Sequence, residues 1–190
     1  MNPGSVLDLL LQANRLKRVP RAGWVMRGLV DAESVSDHTF GVAFVALVLA
    51  QMTEPSVDVA KLLTIALLHD LAESVLGDVP SPALSYFPSA AKETAEAEVL
   101  GEMLNELPQF EHWRGWWREF ERGSSIEGKL ARDADRLDML IQAYVYEQTT
   151  GNRWLDEFWA CAHKMVFESE AARLVFEVLS EARDRSRGPA

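Results

Sequence analysis

Lys61–Pro82, KLLTIALLHDLAESVLGDVPSP, decides how the rest of the chain is read. Leu62, Leu63, Ala66 and Leu67 recur at helical spacing, so the segment predicts a buried helix. Into that apolar run the sequence sets His69 and Asp70 side by side, with Glu73 one turn later. On a helix these spacings bring all three onto one face. Ionisable groups in such a setting are costly unless paired, hydrogen-bonded or bound to metal. Gly77, Pro80 and Pro82 then end the helix. The three polar groups therefore stand on its last turn, like the wall of a site.

Partners for them lie on either side. His38 closes the string ESVSDH upstream, and Asp135 lies in ARDADRLDML downstream. Each residue alone has an ordinary reading: a core histidine bonded to a carbonyl, a first-turn helix residue, a solvated acidic face. Together, His38, His69, Asp70 and Asp135 suit one divalent cation. Imidazole plus carboxylate favours Mn, Co, Fe, Ni or Zn over Mg alone. Four protein ligands on an octahedral ion leave two positions for water and substrate, the open geometry of a hydrolytic metal. Leu130, Ala131, Leu137 and Met139 place Asp135 at the edge of a buried face. Asp133 and Asp138 are expected to face water or to pair with Lys129, Arg132 or Arg136.

Elsewhere the apolar period is helical and no alternating strand stands out, so the expected class is all-α. We expect a single-domain helical bundle over residues 1–190, with roughly seven or eight helices. The motif-bearing core covers about 16–150, and C-terminal helices over 152–185 pack on it. Ser5, Ser36, Ser56 and Ser89 are expected N-caps, and Ser124 with Glu127 an expected capping box. A Ser36 cap runs a helix to about Met52, with His38 as its second residue. Residues 16–37, broken by Pro20, Gly23 and Gly28, read as an ordered loop. Helices are expected from Trp154 to Phe167 and from Ser169 to Arg183. Bundles of this kind place metal and ligand sites between facing helices.

Composition narrows the function. The chain has 190 residues, 48% hydrophobic and 25% charged, ordinary values for a soluble globular protein. No run of about 18 apolar residues predicts a membrane span, and the first residues do not read as a signal peptide. A single cysteine, Cys161, fits a reducing, cytoplasmic setting. The net charge of −10 argues against tracking a nucleic-acid polymer, yet a bound cation and a few basic residues can still hold a small phosphorylated ligand. Arg15, Lys17, Arg18, Arg21 and Arg27 cluster ahead of His38, whereas Arg183, Arg185 and Arg187 read as a solvated helix end.

The set H38…H69-D70…D135 resembles the HD-domain metal-dependent phosphohydrolases. The strings LKRVPRAGWVMRG, ESVSDH, LLHDLAESVLGDVPSP and DADRLDML extend the resemblance to the 5′-deoxynucleotidase subgroup, in order from about residue 16 to 140. The resemblance implies that His38, His69, Asp70 and Asp135 bind the metal and that Glu73 and Asp78 act in catalysis. It also implies a homodimer and a nucleotide substrate. In that family a metal-held water attacks the phosphorus of a 2′-deoxyribonucleoside 5′-monophosphate. Bacterial members carry an adjacent Arg–Trp pair where this chain has Ala22 and Gly23. Arg21 and Trp24 flank those positions, which makes Arg21 a candidate phosphate ligand, Trp24 a stacking or wall residue, and Arg27 a further anion ligand. Members also tend to carry Lys–Gln where this chain has Arg132–Asp133.

Other readings stay open at this point. A triphosphate or an alarmone is an alternative substrate for the same site, though few basic residues lie near the motifs. A di-iron oxygenase needs more histidines, and only His112 and His163 remain; both sit near tryptophans and read as ordinary packing. Cys161 with His163 is too little for a zinc site. A nucleotide- or metal-sensing module without turnover is the non-enzymatic alternative. The aromatic cluster Trp113, Trp116, Trp117 and Phe120 reads as core or as a partner surface.

Overall fold

Helices account for nearly all the regular structure of the computed structural model, which describes residues 2–53, 57–162 and 166–187. Among these, eight helices have seven or more residues: α1 (Pro3–Arg15), α3 (Val35–Gln51), α4 (Val59–Leu68), α7 (Ala91–Leu104), α8 (Glu111–Arg122), α9 (Ile126–Thr150), α10 (Asp156–Ala162) and α11 (Glu170–Arg187). Single turns α2 (Ala22–Val25), α5 (Glu73–Leu76) and α6 (Ser81–Leu84) join them. The all-α class holds, with the turns lifting the helix total slightly above expectation. No helix among the described residues is long and apolar enough to cross a membrane.

The central stack is α3, α4 and α9. Val42, Ala46 and Leu49 pack with Leu62, Ile65 and Ala66 and with Leu130, Ala134, Leu137 and Leu140 of the 25-residue α9. Alanines at Ala46, Ala66 and Ala134 let the backbones come close, and the leucines fill what remains. Each fully buried leucine contributes about 2 kcal/mol by its area. A second cluster joins Leu9, Leu16, Val35, Leu68, Leu71, Leu100, Leu104, Leu107 and Trp117. His69 and Asp70 fall between Leu68 and Leu71, so the polar pair is flanked in sequence by residues of this second cluster. Leu155, Trp159 and Ala171 bring the C-terminal helices onto the main core.

Several boundaries differ from expectation, and each has a local cause. Asn2, not Ser5, caps α1 by accepting from the Gly4 N–H at 3.0 Å. Ser34 rather than Ser36 caps α3, because Asp37 completes a capping box with it. The Val35 N–H also donates to the Val19 carbonyl at 2.8 Å, which ties the start of α3 to the preceding segment. His38 is therefore the fourth helical residue. Ser56 lies outside the described residues, and Asp58 caps α4. Ser125 replaces Ser124, accepting from the Gly128 N–H, while Glu127 turns to Lys61 at 3.2 Å. The helix expected from Ser89 starts at Ala91, behind Ala90 at φ 61°. Residues 16–37 include the turn α2 and a Pro20–Ser34 bridge.

Two corrections concern charge and a third concerns a helix. Asp133 does not face water; it is fully buried, pairs with Arg136 at 3.4 Å as the other half of the expectation had it, and accepts from the Glu168 and Ser169 N–H groups, at 3.0 and 2.7 Å, ahead of α11. Arg183 and Arg187 do not fray; they pair with Glu147 and Asp156. The Trp154–Phe167 helix is a 3-10 turn, Arg153–Leu155, followed by α10, and His163 lies outside the described residues.

Candidate metal centre and active site

α4 ends at Leu68, and His69 is its C-terminal cap residue, followed by a turn into α5. This break lets the chain present His69, Asp70 and Glu73 inward while Leu68 and Leu71 stay buried. His38 comes from the first turns of α3 and Asp135 from the middle of α9. The four expected ligands thus arrive from three segments, two of them neighbours in the central stack. Ligand atoms of His38, His69 and Asp135 lie within 4.8 Å of one another. Asp70 Oδ2 stands 3.2 Å from His69 Nε2 and 3.8 Å from His38 Nε2, and His38 Nε2 is 3.1 Å from Asp135 Oδ1.

The ring nitrogens are unequally satisfied. His69 Nδ1 lies 2.7 Å from the Ala66 carbonyl, which can only accept, so this nitrogen carries the hydrogen. His69 Nε2 is buried, and the Asp70 oxygen beside it lies outside hydrogen-bonding alignment, so the nitrogen has no partner. A buried polar atom left open costs about 1–3 kcal/mol. A lone pair facing three other oxygen or nitrogen ligands is what a cation would complete. The residues present therefore fit a single divalent metal. His38 Nδ1 lies 2.8 Å from Asp138 Oδ2, against the expectation that Asp138 faces water.

Charge in the site follows from the same crowding. Burial and the Arg21 charge oppose a proton on His38, yet Asp135 and Asp138 outweigh them and push its pKa up to about 10. Burial also opposes a charged His69, and Asp70 raises it nonetheless. Burial favours a neutral Asp70, but His69, Arg21 and His38 hold its carboxyl well below the usual range. The cluster attracts cations strongly enough to hold protons on imidazoles, and a metal would displace those protons. Glu73 behaves in the opposite way. It is 1% exposed, its Oε2 has no hydrogen-bond partner, and burial together with Asp70 and Asp78 pushes it up to about 9.

A cavity of about 280 Å³ opens beside the cluster, lined among others by Arg21, Trp24, Asp70, Asp78, Lys92 and Asp135. Arg21 bonds Asp70 at 2.9 Å and lies 4.0 Å from Glu73 and 3.8 Å from Asp78. Asp78 also accepts from the Ala22 N–H at 2.7 Å, which pins the start of α2 and with it the backbone of Arg21. Trp24 is 2% exposed, packs on Tyr146 and Phe158, and donates its indole N–H to Glu33. It is a wall held from behind. Arg27 is not brought into the site: it binds Glu157 at 2.7 Å and the Gly23 carbonyl, and it lies over Phe158. A larger cavity of about 760 Å³, bordered by Glu98, Glu102, Arg114 and Arg118, contains no expected site residue.

Lys92 is a residue of this cavity that sequence reasoning missed. Its ammonium lies 3.6 Å from Glu73 and 3.1 Å from Glu96, and it faces the same cavity as Arg21. No local signal marks it, since AKETAEAE reads as any charged helix. Asp138 did carry a signal: three residues after Asp135, it lies on the same face of α9.

Comparison with known proteins agrees with this geometry. An HD-domain family model matches residues 13–174. The chain is 33% identical over 183 residues to a Danio rerio protein named 5′-deoxynucleotidase HDDC2, covering 95% of this chain and 89% of that one. Its human counterpart of the same name is 32% identical over 180 residues, covering 93% and 86%. A solved structure described as a conserved hypothetical protein from Pyrococcus furiosus superposes with a TM-score of 0.78 at 39% identity, covering 94% of this chain and 99% of that one. A match of this extent, meeting an imidazole–carboxylate cluster of the right make-up, identifies the chain as a member of the HD-domain family of metal-dependent hydrolases.

Proposed function

We propose that this chain is a 5′-deoxynucleotidase, releasing phosphate from 2′-deoxyribonucleoside 5′-monophosphates at one metal held by His38, His69, Asp70 and Asp135. The observation that carries the reading is the unpartnered, buried Nε2 of His69, close to His38 and Asp135 beside a cavity that also presents Arg21 and Lys92. When bound, a divalent ion supplies a more acidic water and offsets phosphate charge. The donor set favours a first-row ion such as Mn, Co, Fe, Ni or Zn over Mg.

The chain's own residues do the rest. Arg21 and Lys92, on separate segments, hold the phosphate oxygens between them. Glu73, buried and with a free oxygen, hands a proton to the departing 5′-oxygen. Asp78 holds Arg21 in place through the α2 backbone and reaches water or sugar from its turn. Trp24 closes the pocket and keeps bulk water from the phosphorus. Arg27 falls outside this set. The deoxyribose preference follows the relatives, which are named for that activity.

A polyphosphate substrate is less well served. Arg136, a third cation on the cavity, is tied to the Val166 carbonyl at 2.8 Å and to Asp133. We further infer a homodimer formed through α3, where Phe40, Phe44, Leu47 and Val48 stand exposed along one stripe. Phe44→Glu is expected to lower the mass seen by sedimentation. The lone, exposed Cys161 fits a reducing cytoplasmic setting.

The test is a phosphate-release screen on protein stripped by chelator and reloaded with Mn or Co, over ribo- and deoxyribonucleotides. Orthophosphate from deoxynucleoside monophosphates, lost on stripping, is the expected result. Pyrophosphate or triphosphate as product would move the assignment to another HD hydrolase. No release from any nucleotide, with tight binding retained in Glu73→Ala, would leave a sensor instead.

A further inference from the structure

α3 and α9 approach closely one turn away from the metal ligands. His38 is fully buried, and its two ring nitrogens face two carboxylates of the same helix, Asp135 at Nε2 and Asp138 at Nδ1. The Asp138 carboxylate reaches that position through a notch. A Cβ built on Gly41 would lie 2.0 Å from Asp138 Oδ1, 2.6 Å from Cγ and 3.0 Å from Oδ2. No side chain other than hydrogen at position 41 leaves room for this carboxylate. Gly41 has no positive φ to explain its presence, and mid-helix glycine costs about 1 kcal/mol relative to alanine.

We propose that Asp138, admitted by Gly41, is a positioning residue that turns His38 Nε2 toward the metal and keeps the proton on Nδ1. A neutral imidazole has one donor and one acceptor nitrogen, so an acceptor at Nδ1 assigns the lone pair to Nε2. A carboxylate there also makes the ring a stronger ligand than a carbonyl does. His69 has the carbonyl version of the same arrangement, through Ala66. Glu33 lies near His38 and Asp138 as well, but it accepts the Trp24 indole N–H. Asp138 is thus the group at hydrogen-bond distance from Nδ1.

The inference rests on the metal reading above, and cobalt binding separates the two. Affinity for Co²⁺ is measured by competition with a chelating dye, and the visible spectrum of the bound ion is recorded, for the parent, Asp138→Ala, Asp138→Asn and Gly41→Ala. Thermal melts confirm folding. Asp138→Ala is expected to weaken binding roughly 10- to 100-fold and to shift the spectrum. Asp138→Asn, whose amide oxygen still accepts from Nδ1–H, loses less. Gly41→Ala loses about as much as Asp138→Ala although alanine favours the helix, and the double variant is no worse than either single one. Nitrogen-15 shifts of His38 in the zinc-loaded protein report which ring nitrogen keeps its hydrogen. Parental affinity and spectrum in both Asp138→Ala and Gly41→Ala would overturn the inference, as would Asp138→Asn falling as far as Asp138→Ala. If Asp138→Ala does not fold, Gly41→Ala and Asp138→Asn decide alone. A parent that takes up no cobalt would overturn the metal reading, and this inference with it.

Discussion

Two buried ionic clusters in this molecule are built in opposite ways. Along the seam of α9 with the C-terminal helices, Arg183 meets both oxygens of Glu147, at 2.9 and 3.0 Å, and also bonds Asp156. Arg187 binds the same two carboxylates, and Arg183 lies over Trp159. Between α3, α9 and the turn after α4, by contrast, His69 Nε2 and Glu73 Oε2 are buried with no hydrogen-bond partner. Both clusters bear the desolvation of charge. The seam answers its carboxylates with guanidinium groups of the same chain and so holds structure. The site keeps unfilled valences and so holds a ligand.

The sharpest way to break that contrast is to exchange the consequences. Glu73→Gln removes a proton donor but leaves the fold's packing, so kcat should fall about 10²- to 10⁴-fold while metal content and melting temperature stay near the parent's. A matching loss of stability would mean that Glu73 is structural, like the seam. Arg183→Met should do the reverse. It leaves Glu147, which is 8% exposed, with Arg187 as its remaining partner, against about 3–5 kcal/mol for breaking a buried pair outright. Because Asp156 is 47% exposed, the low end, about 3 kcal/mol, is expected in urea unfolding, with kcat unchanged. Reduced turnover in the folded variant would tie the seam to the site.

Lys92→Met tests the border between the clusters, since Lys92 pairs with Glu96 as a structural residue does and faces the cavity as a site residue does. Loss of a charged hydrogen bond to phosphate is worth about 1.5–3 kcal/mol, or roughly 10- to 100-fold in kcat/KM. The loss should fall mainly on KM. An unchanged KM with a lower melting temperature would return Lys92 to the structural side.

How much of this was readable in advance depends on how local each cause is. His69 and Asp70 stand out because polar pairs are rare in an apolar helix, and His38 and Asp135 gain meaning from them. Arg21 was found by its place beside a motif. Asp138 escaped because an aspartate on a charged helix is solvated by default, and its partner lies 100 residues away. Asp133 escaped for the same reason: it caps a loop backbone that is distant in sequence. Arg27 was misplaced because nothing local announces Glu157. Helix starts slipped by one or two residues wherever serines cluster, as at Ser34 and Ser36 or at Ser124 and Ser125. There the choice is made by which backbone hydrogens lie free.

The smallest expected effect belongs to Glu121, a half-buried carboxyl on α8 that lies in neither cluster. Burial, and after it Glu96, push its pKa up from 4.5 to about 7. The sign follows from proton counting. Below about pH 4.5 the folded and unfolded chains both hold the proton, and Glu121 contributes no pH dependence. Between about pH 4.5 and 7 the unfolded chain gives it up while the folded chain keeps it, so stability falls as pH rises through that window. Above pH 7 the penalty is constant. Glu121→Gln has no proton to lose, so it should match the parent at pH 4.5 and exceed it at pH 7.5. After solvent screening the gain is on the order of 1 kcal/mol. Melts at the two pH values read it directly, and a gain of equal size at both would show that packing, not charge, separates the variants. A gain confined to neutral pH makes Glu121 a half-buried carboxyl whose charge is opposed by burial and by Glu96, a conflict that each of the two clusters resolves in its own way.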